Sequence, residues 1–357
     1  MHILRAEPLL LFSKSIFVAA GVPEAEAAIV SRSLVDANLC GHDSHGVIRI
    51  PQYVGFLRER KLFGNVPLEK LHETSAMYGA DAGWGLGQVQ AFRLLEILQP
   101  KAKALGIAAG TLRRCGHIGR LGEYAEWAAE RGMAFFATVN SHGSGRRVAP
   151  PGGTQGRIST NPLCLGAPTP TDPLVLDIGT SAVAEGKVRV NFQKGEPTPD
   201  GWLLDHCGQP TNDPATLYNE PRGSILPLGG AQAYKGFGLG LLLDALAGGL
   251  SGGECSRPEA PLPGVGNSVV FVLFDIAHFG GSDHFLKEAG NLAAFVRDTP
   301  TVEGVASITL PGDPERLTKQ QRLAEGIPIS EGTWGQIVKM ARELGVSCPQ
   351  DESSRTV

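Results

Sequence analysis

Tyr234-Lys235-Gly236-Phe237-Gly238-Leu239-Gly240-Leu241-Leu242-Leu243-Asp244 (YKGFGLGLLLD, 234–244) decides which dinucleotide fold is open to this chain. A Rossmann βαβ unit needs GxGxxG at its first turn, where three glycines let the backbone approach a pyrophosphate and the helix pack on its strand. Here the spacing is GxGxG, as it is at Gly83-Trp84-Gly85-Leu86-Gly87, and GxGxxG occurs nowhere in the sequence. An ordinary Rossmann fold is therefore disfavoured. GxxxxGK[ST] and HExxH are missing too, which removes the main support for ATPase and zinc-protease readings.

Outward from this stretch, short apolar runs bounded by Gly and Pro predict strands at 133–139, 163–166, 174–178 and 268–276. Helices are predicted between them at 121–131 and 234–250. Alternating elements of this kind point to an α/β sheet domain. N-terminal to it, apolar residues at helical spacing predict a helix over 24–39, a polar loop at 41–46 and a second helix over 47–57. C-terminal to it, helical patterns run over 315–325 and 332–344, and the tail after Ser347 is expected to fray. The expected organisation is an N-terminal helical region (1–70), an α/β domain (71–311) and a C-terminal helical segment packing back (312–357).

Of 357 residues, 42% are hydrophobic and 19% charged, enough apolar content for a core. Gly and Pro together make up about a fifth of the chain, predicting many tight turns. A net charge of −4 gives no global positive field for nucleic acid or anionic lipid. Glu7, Ser13 and Lys14 interrupt the only run resembling a signal peptide, and the apolar stretch 236–250 is too short to span a bilayer. The six cysteines form neither a CxxC pair nor a metal-like cluster, so reduced thiols in a cytoplasmic protein without a metal are expected.

Four segments could carry chemistry. His42-Asp43-Ser44-His45 with Arg49 offers imidazoles that exchange protons near neutrality and a guanidinium fork that matches a carboxylate; helix capping by Asp43 or Ser44 is the plain alternative. Arg114-Cys115-Gly116-His117-Ile118-Gly119-Arg120 adds another imidazole before a helix start, where an anionic group could sit. Asn140 to Arg147, followed by Thr160-Asn161-Pro162, has the small and basic residues suited to ribose and phosphate. Asp177-Ile178-Gly179-Thr180-Ser181, with Glu185-Gly186-Lys187 and Tyr234-Lys235, offers ribose acceptors and cations; Asp177 as a turn or N-cap residue is the alternative.

GHDSHGVIRIPQY (41–53), GHIGRLGEYAEWAAERGM (116–133), GRISTNPLCLGAP (156–168), LDIGTSAVAEGKVRV (176–190), GWLLDHCGQPTNDP (201–214), YKGFGLGLLLD (234–244) and LPGDPERLTKQQRLAEGIPI (310–329) occur in this order along nearly the whole chain. Together they resemble the malate/L-lactate dehydrogenase family of NAD(P)-dependent 2-hydroxyacid oxidoreductases, and the 201–214 block is most similar to its hydroxycarboxylate dehydrogenase branch. The resemblance implies a non-Rossmann NAD(P)-binding mixed sheet, a homodimer, NAD or NADP as cofactor and a small 2-hydroxy or 2-oxo acid as substrate. It implies proton transfer by His45 with Ser44 or by His117, pairing of Arg49 with the substrate carboxylate, and Arg120 and Leu121 close to the substrate. Cofactor contacts are implied for Ser141, Thr160, Asp177, Ile178, Gly179, Thr180, Ser181, Tyr234, Lys235, Leu310, Pro311, Gly312 and Asp313.

Three departures stand out. Cys115-Gly116 replaces the Asn, Ser or His that most members carry ahead of the second histidine, and Tyr234 replaces the usual His before Lys-Gly. Cyclic-imine reductases of the family tend to have Asp where this chain has Lys187, which favours hydroxyacid chemistry, with Lys187 able to stabilise an oxyanion or simply pair with Glu185. A cyclic imino acid reductase and a nucleotide-binding homologue without turnover are the alternatives.

Overall fold

A computed structural model describes residues 1–259 and 266–349. In chain order the elements are β1 (His2–Leu4), α1 (Ala6–Ala19), α2 (Glu24–Leu39), α3 (Ile50–Arg58), β2 (Glu69–Glu73), β3 (Met77–Asp81), α4 (Gly87–Leu105), β4 (Ile107–Cys115), α5 (Gly122–Ala129), β5 (Met133–Asn140), β6 (Leu163–Ala167), β7 (Leu174–Ile178) and α6 (Glu185–Lys194). They continue as β8 (Leu203–Leu204), β9 (Pro210–Thr211), β10 (Ser224–Ile225), α7 (Ala233–Ala245), β11 (Asn267–Asp275), α8 (Ser282–Arg297), α9 (Asp313–Glu325), β12 (Ile327–Ile329) and α10 (Glu331–Glu343).

A seven-stranded sheet in the order β2-β3-β4-β11-β5-β6-β7 forms the middle of the molecule. It is mixed, with β3 and β4 parallel and the other neighbours antiparallel. The SVVFVLF run of β11 is apolar on both faces because it is central and is covered on both sides. Its Phe271 meets Phe135 and Tyr124 within the largest core, roofed by Leu94, Leu95 and Leu98 of α4.

A second core joins α1, α2 and α3 to α10 and the β1–β12 pair, with Phe12 against Trp334. The opening run interrupted by Glu7, Ser13 and Lys14 is helix α1, its Leu9, Phe12, Ile16 and Phe17 buried. A third, smaller core gathers Val148, Ile158, Val188, Leu203 and Ile225 around the β8–β10 ribbon. The predicted fold class stands: α/β, with a mixed sheet and helices at both chain ends. No described helix is long and apolar enough to cross a membrane, and all six cysteines are free. From residue 350 on, the tail lies outside the described residues.

Two local expectations shift. The helix read over 47–57 begins only at Ile50, because Pro51 fits a first helical turn but would clash with the carbonyl four residues earlier in a helix starting at Val47. Val47–Arg49 is instead a 3-10 turn. The helix read over 234–250 ends as α7 at Ala245 and widens into a π-turn over Leu246–Leu250.

The GxGxG motifs prove to be packing devices. A Cβ on Gly236 would lie 2.1 Å from the Leu228 carbonyl oxygen, and one on Gly240 2.5 Å from Thr180 Oγ1, while one on Gly238 would meet nothing within 4 Å. Close approach of α7 to the Thr180 segment therefore needs the outer two glycines and not the middle one. Gly238→Ala should raise unfolding stability by up to about 1 kcal/mol through helix propensity, whereas Gly236→Ala should lower it by about 1–3 kcal/mol through overpacking. Denaturant titration of the three proteins checks this; equal effects at 236 and 238 would refute the packing role.

Candidate active site

The 41–49 loop is held from below by Asn38 near the end of α2. The Asn38 amide oxygen accepts from Val47 N–H at 2.8 Å, and its Nδ2 donates to Asp43 at 2.6 Å. Gly46 is required there, since a Cβ would come 2.1 Å from that oxygen. Asp43 also receives two hydrogen bonds from Arg322 of α9, and His42 pairs with Glu315 of α9 at 3.2 Å. His42 and Asp43 fasten the loop, and Asp43 caps no helix, leaving Ser44, His45 and Arg49 to face the cleft.

His117 arrives from the loop after β4. Gly85 and Gly87 of the first GxGxG motif let that loop settle, for a Cβ on Gly87 would lie 2.2 Å from the His117 carbonyl oxygen. Gly116 likewise sits so close to the Gly85 carbonyl that a Cβ would come within 2.6 Å. Cys115-Gly116, the departure noted in sequence, thus belongs to a tightly packed turn.

The two loops bring His45 and His117 side by side, rings nearly parallel at 19° with centroids 5.4 Å apart. Ser44 Oγ lies 3.0 Å from His45 Nδ1, and Arg49 Nε donates to the Ser44 carbonyl at 2.7 Å. The Tyr53 hydroxyl lies 2.6 Å from His117 Nδ1 and accepts from Gln88 Nε2 at 3.3 Å. Tyr53 was missed as a site residue, although it ends the quoted 41–53 motif one helical turn after Arg49. Gln88 Oε1 is buried here without a partner.

Both imidazoles are neutral. Burial, then the charges of Arg49, His42 and Arg120, push His45 down to about 3. Burial, Arg49 and His45 hold His117 well below its ordinary value. Burial likewise pushes Tyr53 up to about 12.

α6 closes one side of the cleft: a Cβ on Gly186 would come 2.7 Å from Ser44 Cβ. Lys187, one residue on, is exposed, and the carboxylate beside it, Glu185, is held by Arg189 at 2.9 Å and by the Tyr218 hydroxyl at 3.0 Å instead.

Several of the residues with implied contacts already have partners inside the fold. Arg120 has a side chain only 1% exposed and is paired with Asp36 at 3.2 Å and Glu126 at 2.5 Å, so its guanidinium is closed to a substrate. Leu121 is 2% exposed and belongs to the central core. The Asp177 carboxylate, near the end of β7, accepts from Gly122 N–H at 2.8 Å, which satisfies an orphan amide at the start of α5. Thr180 Oγ1 donates to the carbonyls of Thr160 and Asn161, and Ser181 Oγ to that of Val183. Asp313 is occupied by Arg297, Arg316 and Leu310 N–H, and the Pro311 carbonyl accepts from Val175 N–H. Gly312, at φ +94°, makes the turn into α9. The Ser141 hydroxyl bonds Ser159 at 2.7 Å. Open to solvent beyond the sheet end are Gly179, Tyr234 and Lys235, with Thr160 and Ile178 half-buried.

The family model for malate/L-lactate dehydrogenase matches residues 4–338. The chain belongs to the malate/L-lactate dehydrogenase family. It is 34% identical to an L-lactate dehydrogenase of Cupriavidus necator, over 94% of this chain and 96% of that one. It is 35% identical to hydroxycarboxylate dehydrogenase B of Escherichia coli, over 97% and 95%. Malate dehydrogenase from Pyrococcus horikoshii superposes with a TM-score of 0.87 at 30% identity, covering 97% of each chain. A Δ1-piperideine-2-carboxylate reductase from Pseudomonas syringae superposes at 0.82 with 28% identity, over 96% of this chain and all of that one. This member of the family is an oxidoreductase, and the family's dehydrogenases use nicotinamide cofactors.

The acids and bases behind the site set a pH optimum for stability. Burial pushes Glu123 up to about 8 against the hydrogen bond from Ser33. From roughly pH 4.5 to 6.5 the unfolded chain protonates both histidines while the folded chain protonates Glu123 alone, so stability rises by about 1.4 kcal/mol per pH unit. Between pH 6.5 and 8 only the folded Glu123 still binds a proton, so stability falls again. Thermal melts across this range should peak near pH 6.5, and Glu123→Gln should abolish the alkaline decline; a decline unchanged in that variant would remove Glu123 from the account.

Proposed function

We propose that this protein is an NAD- or NADP-dependent 2-hydroxyacid dehydrogenase acting on malate, lactate or a larger hydroxycarboxylate. The observation that carries the reading is the pair of neutral, stacked imidazoles with a guanidinium at their side. A neutral imidazole can accept the proton of a C2 hydroxyl, and Arg49 can hold the neighbouring carboxylate by its two terminal nitrogens, one of which now touches Gln52 at 2.9 Å. The donor set suits a nicotinamide partner, because hydride removal from a carbinol must be matched by removal of one proton. The cofactor supplies the hydride acceptor when bound, and Ser141, Thr160, Ile178, Gly179, Tyr234 and Lys235 would hold it.

In this reading the Tyr53 hydroxyl, which accepts from Gln88, donates to His117 Nδ1 and so places the ring proton of His117 on Nε2. His117 then donates that N–H to the substrate oxygen, while His45, bonded to Ser44 through Nδ1, takes the proton. Lys187 stabilises negative charge developing at the same oxygen. The active form is a homodimer in the cytoplasm, a reading supported by the exposed Leu241, Leu242 and Leu250 beyond α7's packed face and by Phe295 on α8. Sedimentation should give twice the chain mass, and Leu242→Asp should shift it to the monomer.

Absorbance at 340 nm with NADH and NADPH, against pyruvate, oxaloacetate, 2-oxoglutarate and a cyclic imino acid, tests the reaction class. Turnover on a 2-oxo acid is expected, and turnover on the imine alone would move the protein to the reductase alternative. His45→Asn should lower kcat by about 10²–10⁴-fold. Tyr53→Phe should cost less, because it releases the tautomer of His117 without removing the ring. Arg49→Lys should chiefly raise KM for the acid. Full kcat in both His45→Asn and His117→Asn would overturn the proton-transfer assignment.

A further inference from the structure

Away from the histidine cleft, a cavity of about 450 Å³ opens between the Ser144–Arg147 loop and the turn at Arg222 and Gly223. Arg146, Arg147, Arg222 and His206 line it, and the only carboxylate among its walls is Glu220. Glu220 is held by Arg222 Nε at 2.8 Å. Arg147 is set in place by its Nη1 bond to the Leu217 carbonyl at 3.2 Å and by backbone bonds to Ile158 and Ile225. Arg146 is exposed and makes no hydrogen bond or ion pair among the described residues.

The loop is shaped to bring these cations together. Gly145 sits at φ +72°, and a Cβ there would come 2.8 Å from Ser141 Oγ. A Cβ on Gly156, on the opposite wall, would come 2.7 Å from the Arg146 carbonyl oxygen. Three guanidiniums against one carboxylate repel one another, and a rigid scaffold that gathers them gains when an anion enters. One fork is enough for a planar carboxylate, whereas several guanidiniums converging from separate segments match the oxygens of a tetrahedral anion. Arg146 also borders a second cavity of about 300 Å³ whose walls include Ile158, Leu241 and Ala245, giving an apolar recess beside the cationic one.

We propose that the Arg146–Arg147–Arg222 cavity is a binding site for a phosphate group. The group is either free phosphate or the phosphate of a larger ligand, the cofactor included. Calorimetric titration of the full chain with inorganic phosphate, at constant ionic strength set with chloride, reads this without any turnover and so stands or falls apart from the dehydrogenase assay. Saturable binding at one site per chain is expected, weakened at least about 10-fold in Arg146→Gln and in Arg222→Gln, since each removes a charge-assisted contact. Arg58→Gln, at a surface ion pair with Glu343 elsewhere, should leave it unchanged.

KM values of Arg146→Gln for the two cofactors then identify the source. A rise for NADPH alone assigns the site to a ribose phosphate of the cofactor, and a rise for both cofactors to its pyrophosphate. Unchanged values with weakened phosphate titration assign it to a separate phosphate-bearing ligand. Phosphate binding of equal strength in wild type, Arg146→Gln and Arg222→Gln overturns the proposal, as does the lack of saturable binding together with unchanged KM values.

Discussion

Arg120 is the constraint on which the rest of the site depends. It sits between β4 and α5 on the central core, yet its guanidinium reaches Asp36 of α2 and Glu126 of α5, and Asp36 in turn takes Lys319 of α9 at 2.5 Å. One buried charge thereby couples the sheet, the N-terminal helices and the C-terminal helix. Burial pushes the Asp36 carboxyl up, but Arg120 and Lys319 outweigh it and hold it ionised. Removing one member of such a buried network strands the others, at a cost of about 3–5 kcal/mol. The same positive charge contributes to keeping His45 neutral. A residue implied in sequence as a substrate contact is therefore a structural cation that acts on the site through its field.

Close backbone approach is the second requirement. Gly85, Gly87 and Gly116 seat the His117 turn, Gly46 seats the His45 loop on Asn38, and Gly186 lets α6 touch Ser44. Each contact is one that a single methyl group would break. A stacked pair of imidazoles can be held from two separate cores only if both loops are rigid, and these glycines provide that alongside the Ser44 and Tyr53 hydroxyls that bond the rings.

The sequence made the long-period and strongly apolar elements readable. The helix over 24–39 and the strand over 174–178 appear with the predicted limits, and β5, β6 and β11 lie within one residue of theirs. The lack of GxGxxG correctly argued against a Rossmann sheet. Helix α4 was not legible, because it starts inside a glycine-rich motif and contains Pro100, which reads as a breaker; Pro100 and Glu96 both lie on the exposed face, where the break in the ladder costs least. The histidines and Arg49 could be picked out by chemistry, but Tyr53 could not, since an aromatic residue at helical spacing reads as core. Its importance lies in one polar atom 64 residues away in sequence.

The polar side chains expected to grip a cofactor also hold the fold together. Thr180, Ser181 and Asp313 spend their oxygens on the chain's own amides, carbonyls or arginines, and Asp177 gives one of its two to the Gly122 amide. A group already satisfied inside the fold has little free energy to offer a ligand, because any new hydrogen bond replaces an existing one. They set the shape of the sheet end instead, fixing the start of α5, the 160–161 turn and the entry to α9. Discrimination among ligands then falls to groups without an internal partner, and among the described residues the exposed cations Lys187 and Arg146 are of that kind. A scaffold of satisfied polar residues that leaves a few cations free can change its ligand preference by altering those cations, with the fold and the histidine pair left intact.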